Sequence, residues 1–152
     1  MAIRQIKAKV IKGHGVASGM GNDPRYPDGT IRLQLPHFKK GGLDLTAFFE
    51  GTLNLDISPL TFQIKQPNFT FQTVAWSPFI PPENFFFFQA SLLVKEIRYP
   101  CFIYMPDPAT KTDHAQPAHM LEVMAEKIEN VTYGDEVYLE VAEEVLIFTT
   151  LK

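Results

Sequence analysis

The sequence predicts a mainly β domain with one helix, and three of its features favour that fold class. First, 13 phenylalanines and 12 prolines occur among 152 residues. Phenylalanine favours strands, whereas proline interrupts helices and central β-ladders. Second, apolar and polar residues alternate in several short runs, which is the period of a half-buried strand. Third, the strands that this alternation predicts are short and numerous. Such strands need a closed or nearly closed β structure to hide their edges.

The alternating runs are distributed along the whole chain and define the expected strands. We expect strands over residues 6–10, 31–35, 53–57, 62–65, 69–73, 85–94, 102–105, 137–141 and 145–148. The run at 85–94 is apolar almost throughout, which is typical of a strand that is buried on both faces. The run at 31–35 ends before Pro36, a residue that stops a central strand.

One segment has the spacing of a helix rather than that of a strand. Leu121, Met124, Ala125 and Ile128 fall at i, i+3, i+4 and i+7, which places them on a single helical stripe. A turn is expected directly afterwards, at residues 133–135, where Gly134 stands between Tyr133 and Asp135.

The length and the charge limit the classes of protein that fit. The 152 residues predict a single domain over residues 1–152. Apolar residues make up 45% and charged residues 20% of the chain, which is typical of a globular domain and argues against disorder. The net charge of −3 argues against nucleic acid or an anionic membrane surface as a partner, because both attract basic surfaces.

The single cysteine and the apolar runs bear on the compartment. Cys101 has no second cysteine to pair with, which excludes an internal disulfide and a cysteine-based zinc cluster. It stands next to apolar residues, so we interpret it as a small buried side chain rather than a nucleophile. Residues 1–7 lack the apolar core of a signal peptide, and no run approaches the roughly 18 apolar residues of a membrane-spanning helix. A cytoplasmic protein without a membrane partner is therefore expected.

The third expected strand carries the sharpest candidate site. Thr52, Asn54 and Asp56 are spaced by two, so their side chains point to one face of the strand. Hydroxyl and amide oxygens side by side are hard ligands suited to Mg²⁺ with phosphates. The alternative is the polar outer face of an ordinary amphipathic strand.

Two further segments carry weaker candidates. The glycine-rich stretch 13–21 could surround phosphates with backbone N–H groups, or it could be a turn between strands. Near the expected helix, Glu122 could accept hydrogen bonds from a polar ligand and His114 could act as a base, with His119 and Glu122 sharing a helix face. The alternative is a capped turn followed by a solvated face.

Three motifs taken together resemble the archaeal CTP-dependent riboflavin kinases. Gly15-Val16-Ala17-Ser18-Gly19-Met20-Gly21 is similar to the glycine-rich nucleotide loop of that family. Gly51-Thr52-Leu53-Asn54 matches its GTLN signature. Leu121-Glu122-Val123-Met124-Ala125, followed by Gly134-Asp135-Glu136-Val137, is similar to its LEIIA helix and its closing GDEV strand. The motifs occur in the order of the family and span the chain from about Lys9 to Val141.

The resemblance implies a fold, a reaction and a set of site residues. The fold would be a six-stranded cradle-loop β-barrel of the riboflavin-kinase type, with one clear helix and extra short strands. The reaction would move the γ-phosphate of CTP to riboflavin, giving FMN with Mg²⁺ as cofactor. The metal would be held by Thr52 and Asn54 and the flavin by Thr112 and Glu122. The nucleotide would be bound by Gly19, Met20, Gly21, Arg25 and Lys127.

Two other functions stay open beside this enzyme. The loop after Gly21 continues as Asn22-Asp23-Pro24-Arg25, and the segment after Ala125 is shorter than in the family. Both changes favour a barrel that binds a flavin, a nucleotide or another small molecule without transferring phosphate. The third possibility is an interaction or regulatory domain, since related cradle-loop barrels include DNA-binding members.

Overall fold

The computed structural model describes residues 2–11, 29–107, 109, 119–129 and 131–150. The described chain contains one α-helix and is otherwise built mainly from β-strands. In chain order the elements are β1 (Ile3–Ile11), α1 (Thr30–Lys40), β2 (Leu53–Asp56), β3 (Leu60–Ile64), β4 (Phe69–Val74), β5 (Glu83–Val94), β6 (Ile97–Pro106), β7 (Met120–Met124), β8 (Glu136–Ala142) and β9 (Leu146–Thr150).

Six of the strands pair in a closed ring. The order is β5, β6, β7, β2, β1 and β8, and the pairing of β8 with β5 closes the circle. Every pairing in the ring is antiparallel. β4 extends the sheet beyond β5, and β3 pairs with β9 in a separate two-stranded sheet. The closed ring confirms the expectation that short strands with alternating patterns hide their edges against one another.

Alternate residues of the ring strands form an apolar interior. Leu92, Ile103 and Leu139 come from three different strands and are completely buried there. Their neighbours along the strand point outward, as the two-residue period of a strand requires. In β8, for example, Tyr138 stands beside Leu139 and is exposed. The interior therefore explains the alternation seen in the sequence.

A second apolar cluster lies outside the ring, beneath α1. The helix buries Ile31, Leu35 and Phe38 against residues of β5 that point away from the interior. The rings of Phe85 and Phe87 meet Phe38 edge to face, with centroids 5.1 and 4.9 Å from the Phe38 centroid. Edge-to-face pairs at this separation are favourable beyond the area that they bury. This cluster accounts for a strand that the sequence showed to be apolar on both faces.

The strand expected over residues 31–35 is wrong, because this segment is helix α1. Ile31, Leu35 and Phe38 are buried, whereas Leu33 is 44% exposed. A strand would have placed Leu33 on the same face as Ile31 and Leu35. The buried set follows a helical stripe instead. The helix even includes Pro36, whose cost in a helix interior is offset by the burial of three large side chains.

The helix expected over residues 121–128 is also wrong, because the segment begins with strand β7. Leu121, Val123 and Ala125 alternate toward the ring interior, while Met124 faces the outer cluster and is equally buried. A strand covered on both faces loses its alternation, and the added Met124 produced a helical spacing by coincidence. The LEIIA-like segment is accordingly a strand in this chain.

The other expected strands are confirmed, with bounds that shift by a few residues. The predicted turn at residues 133–135 is also present: Gly134 has a φ of 95°, and its N–H donates to the carbonyl of Val10 at 2.6 Å. Trp76 is buried in the outer cluster. Within the described residues, the one helix is far too short to cross a membrane.

Candidate functional site

The ends of four strands meet at one end of the ring, and three of these strands, β2, β7 and β8, carry motif residues. β1 ends where β2 begins, since Ile11 pairs with Asn54. β7 ends beside the same point, since Val123 pairs with Leu53. β8 starts there as well, and the carbonyl of Asp135 accepts a hydrogen bond from the Val10 N–H at 2.9 Å. Residues that lie far apart in the sequence are thereby brought together by the antiparallel pairing alone.

At this end, three polar side chains share the outer face of β2 and β7. The Thr52 hydroxyl donates a hydrogen bond to Oε1 of Glu122 at 3.0 Å. Asn54 lies directly opposite Glu122 in the ladder, and opposed residues of an antiparallel pair point to the same side. All three side chains are half-buried. Thr52, Asn54 and Glu122, which the sequence placed in two separate sites, thus form one cluster, called here the oxygen cluster.

On the same outer face, the oxygen cluster adjoins a buried tyrosine of the outer cluster. Tyr104 of β6 is the ladder partner of Glu122, and its hydroxyl donates to Oε1 of Gln34 on α1 at 2.6 Å. Burial raises the pKa of Tyr104 well above its usual value, and the negative charges of Glu122 and Glu83 raise it further. The hydrogen bond to Gln34 acts in the opposite direction on this pKa. Tyr104 therefore stays protonated and couples the helix to the side of the ring that carries the oxygen cluster.

A pocket of about 210 Å³ opens beside Thr52 at the same end of the ring. Its apolar wall belongs to the ring core and is formed by Leu53, Val123, Ile128 and Val131. Its remaining lining is supplied by Phe49, Gly51, Thr52, Ala125, Glu126 and Lys127. The pocket is called here the end pocket. It combines an apolar surface with one hydroxyl and two opposite charges, the usual composition of a site for a small organic ligand.

The remaining predicted nucleotide and flavin residues divide into two groups. Lys127 lines the end pocket, as stated above. Gly19, Met20, Gly21 and Arg25 lie outside the described residues, as do Thr112 and His114. Ile11, the last described residue before the glycine-rich stretch, stands next to Asn54.

The expected helical face of His119 and Glu122 is wrong, because Glu122 lies on a strand. His119 belongs to the turn before β7, and its carbonyl accepts a hydrogen bond from the Ile57 N–H at 2.8 Å. This contact lies at the far end of β2 from Thr52. His119 therefore stands nearer to Asp56 than to the oxygen cluster, and its charge helps to lower the pKa of Asp56.

Asp56 has a structural role in a turn. Its carboxylate accepts a hydrogen bond from the Ser58 backbone N–H at 2.9 Å. Burial opposes the ionisation of Asp56, but the hydrogen bonds from Ser58, together with the charges of His119 and Lys9, outweigh that effect and lower its pKa.

Cys101 has the properties of a core residue. It is 3% exposed, and burial raises the pKa of its thiol to about 12. A thiol with so high a pKa is a poor nucleophile.

Sequence reasoning missed three residues around the site. Phe49, which lines the end pocket, stands only two residues before the GTLN motif, but a lone aromatic residue in a loop has no pattern that would reveal it. Tyr104 and Gln34 were hidden because the sequence cannot show that α1 packs over β6. Each depends on a contact between segments distant in the chain.

The oxygen cluster fits a magnesium ion that also binds phosphate. Mg²⁺ that is bound together with a nucleotide takes most of its ligands from water and phosphate, so the protein supplies only a few oxygens. The oxygens of Thr52 and Asn54 are hard donors on the same face, and the carboxylate of Glu122 lies beside them. Over the described ranges no group of three or more His, Cys, Asp or Glu side chains is arranged to hold a metal on its own.

No family model matches the chain, and no curated protein matches it significantly.

Proposed function

We propose that this chain is a phosphotransferase of the riboflavin-kinase type, built on a cradle-loop barrel. It would move the γ-phosphate of CTP to the 5′-hydroxyl of riboflavin, giving FMN and CDP and releasing one proton to solvent. The observation that carries the proposal is the oxygen cluster, in which Thr52 and Glu122 are joined by a 3.0 Å hydrogen bond across strands that are 70 residues apart in sequence. The motif order along the chain supports the same function.

Within the oxygen cluster, different residues would bind the metal and the acceptor substrate. Thr52 and Asn54 would hold Mg²⁺, and the ion would neutralise charge on the phosphates when it is bound. Glu122 would accept a hydrogen bond from the ribityl chain and orient its terminal hydroxyl. Phosphoryl transfer depends mainly on positioning and on charge stabilisation, so a set without a catalytic triad is sufficient.

The test is a chromatographic assay for FMN with riboflavin, Mg²⁺ and each of CTP, ATP, GTP and UTP. We expect FMN with CTP, and we expect Thr52→Ala or Asn54→Ala to reduce its rate of formation by about 100-fold, the scale of losing one electrostatic contact at a reacting centre. Thr52→Ser retains the hydroxyl and should retain most of the activity. Thr70→Ala changes an exposed threonine on β4 and is the matched control. No FMN with any of the four nucleotides would refute the kinase.

The second candidate, a binding protein without transfer, is favoured by one observation. Glu126 lines the end pocket next to Lys127, and a carboxylate beside phosphates is unfavourable unless a cation intervenes. An uncharged ring of a ligand in the end pocket would not be repelled by the Glu126 carboxylate. This candidate predicts saturable binding of a nucleotide or flavin by a protein that forms no FMN.

A further inference from the structure

The end pocket is too small for a whole nucleotide or a whole flavin. Sites that enclose a complete small molecule usually measure roughly 300–1,000 Å³, whereas this one measures about 210 Å³. Its apolar wall is flanked by half-buried Ile128 and Val131. Such a pocket holds a single planar ring system of one or two rings. The rest of the ligand must lie outside, toward the oxygen cluster that begins at Thr52.

Phe49 stands at this pocket in a fixed position. The residue is 47% exposed, so its ring is accessible to a ligand in the end pocket. Its backbone N–H donates to the Ala125 carbonyl at 2.9 Å, and its own carbonyl accepts from the Gly51 N–H at 2.9 Å. The two bonds tie the loop to the end of β7 on one side and to the GTLN motif on the other. The backbone of Phe49 is thereby held beside the pocket, and its exposed ring offers a face on which a planar ligand can stack.

The polar lining distinguishes one edge of a ring from another. Glu126 is exposed and lines the pocket. A carboxylate accepts hydrogen bonds and cannot donate them when ionised. It therefore favours a ring that carries an exocyclic amino group and disfavours one with a carbonyl at the same position. Lys127, the neighbouring cation, lies on the same lining and can approach the phosphates.

We propose that Phe49 and Glu126 select the nucleobase: Phe49 stacks on the base, and Glu126 accepts a hydrogen bond from its exocyclic amino group. The ligand class is therefore an amino-bearing base, as in CTP or ATP, in preference to a carbonyl base, as in UTP or ITP. This inference rests on the proposed function for its nucleotide, but it concerns recognition of the base and not phosphate transfer.

The experiment is a calorimetric titration of the full chain, with Mg²⁺ and without riboflavin. CTP is compared with UTP, and ATP with ITP, because each pair differs at the position that Glu126 would contact. We expect the wild type to bind the amino member of each pair at least about tenfold more tightly, the scale of one hydrogen bond to a charged group. Glu126→Gln should bring the ratio close to one, since an amide both donates and accepts.

Phe49→Leu should have a different effect from Glu126→Gln. Loss of a stacking ring should weaken all four nucleotides by about tenfold and leave the amino-to-carbonyl ratio unchanged. Phe79→Leu is the control for Phe49, because Phe79 is also an exposed phenylalanine. Glu144→Gln is the control for Glu126, because Glu144 is an exposed carboxylate in the turn after β8, away from the end pocket. Both controls should bind like the wild type.

The outcomes separate this inference from the proposed function. FMN formation at rates that do not depend on the base, with unchanged binding in Phe49→Leu, would keep the kinase and overturn the inference. Base-selective binding that both variants alter, without FMN, would support the inference and overturn the kinase. Weakened riboflavin binding in Phe49→Leu with unaltered nucleotide binding would also overturn the inference, since the pocket would then hold part of the flavin.

Discussion

The ring interior and the outer cluster beneath α1 are both buried, but they differ in polarity. Three polar side chains among the described residues are buried, namely Thr30, Gln34 and Glu83. Thr30 and Gln34 belong to α1, and Glu83 accepts a hydrogen bond from Trp76 in the outer cluster at 3.2 Å. None of the three lines the interior. Over the described ranges, apolar side chains therefore line the interior, whereas the outer cluster combines aromatic packing with hydrogen bonds.

The difference indicates that the two clusters have different tasks. An apolar core stabilises without specifying direction, since the hydrophobic effect is non-directional. Buried hydrogen bonds require a particular partner, because an unsatisfied buried group is costly. The bond between Tyr104 and Gln34 thus fixes how α1 lies on the ring. Because Tyr104 is also the ladder partner of Glu122, the outer cluster connects the helix to the candidate site.

The largest effect is expected at the centre of the outer cluster. Phe38→Ala removes a completely buried ring. The centroid of this ring lies 5.2 Å from that of Phe71 and closer to those of Phe85 and Phe87. We expect the free energy of unfolding, measured in urea, to fall by about 4 kcal/mol. Phe79→Ala, at an exposed phenylalanine, should change it by less than about 0.5 kcal/mol. Equal losses in the two variants would mean that α1 is not held by this cluster.

The matching change in the ring interior should cost slightly less. Leu139→Ala leaves a cavity at a fully buried position, and we expect a loss of about 3 kcal/mol in the same urea titration. Tyr138→Ala alters the exposed neighbour on the same strand and serves as its control. A loss below about 1 kcal/mol at Leu139 would contradict the assignment of the ring interior as the main apolar core.

The comparison also shows what the sequence could and could not predict. Where one face of a strand meets the interior and the other meets solvent, as in β1 and β8, the alternation predicted the strand correctly. Where the outer cluster covers the second face, as at Met124, the alternation disappeared and the prediction failed. In the α1 segment, the apolar residues fit both the two-residue period of a strand and the 3.6-residue period of a helix. The helical period becomes distinct only when Phe38, which lies beyond Pro36, is included.

The residues of the candidate site were selected from the sequence, but their placement side by side was not. Thr52, Asn54 and Glu122 were each selected from short motifs, which depend on residues close together in the chain. Their union into one cluster depends on the register of β2 against β7, and the contribution of Phe49 depends on a loop that contacts the end of β7. Register and loop contacts arise from tertiary packing, which one sequence does not reveal.

A smaller effect, with a distinctive pH dependence, is expected for the buried tyrosine. Tyr104→Phe removes the donor to Gln34 and should cost about 1–2 kcal/mol at neutral pH. The pKa of Tyr104 is raised in the folded state above its unfolded value of about 10. The protonated form is therefore favoured by folding, so this stability is fully present below pH 10 and is lost as the pH rises toward the folded pKa.

The measurement compares urea unfolding of the wild type and of Tyr104→Phe between pH 8 and pH 11. The wild type should lose additional stability above pH 10, by up to about 1.4 kcal/mol per pH unit, and the variant should lack that component. The difference between the two proteins should consequently shrink as the pH rises. Parallel pH profiles would contradict a buried, protonated Tyr104 and would weaken the distinction between the two clusters.

The last prediction concerns Cys101. The rate at which its thiol is labelled measures how accessible the ring interior is in the unsubstituted protein. Its thiol has a pKa raised to about 12 by burial, so only about one molecule in 10⁴ carries the thiolate at pH 8. Its side chain also has almost no exposed surface. An aromatic disulfide reagent at pH 8 should label the native protein at least 100-fold more slowly than the protein in 8 M urea. Rapid labelling of the native protein would show that the ring interior opens readily to solvent and would contradict its assignment as a closed apolar core.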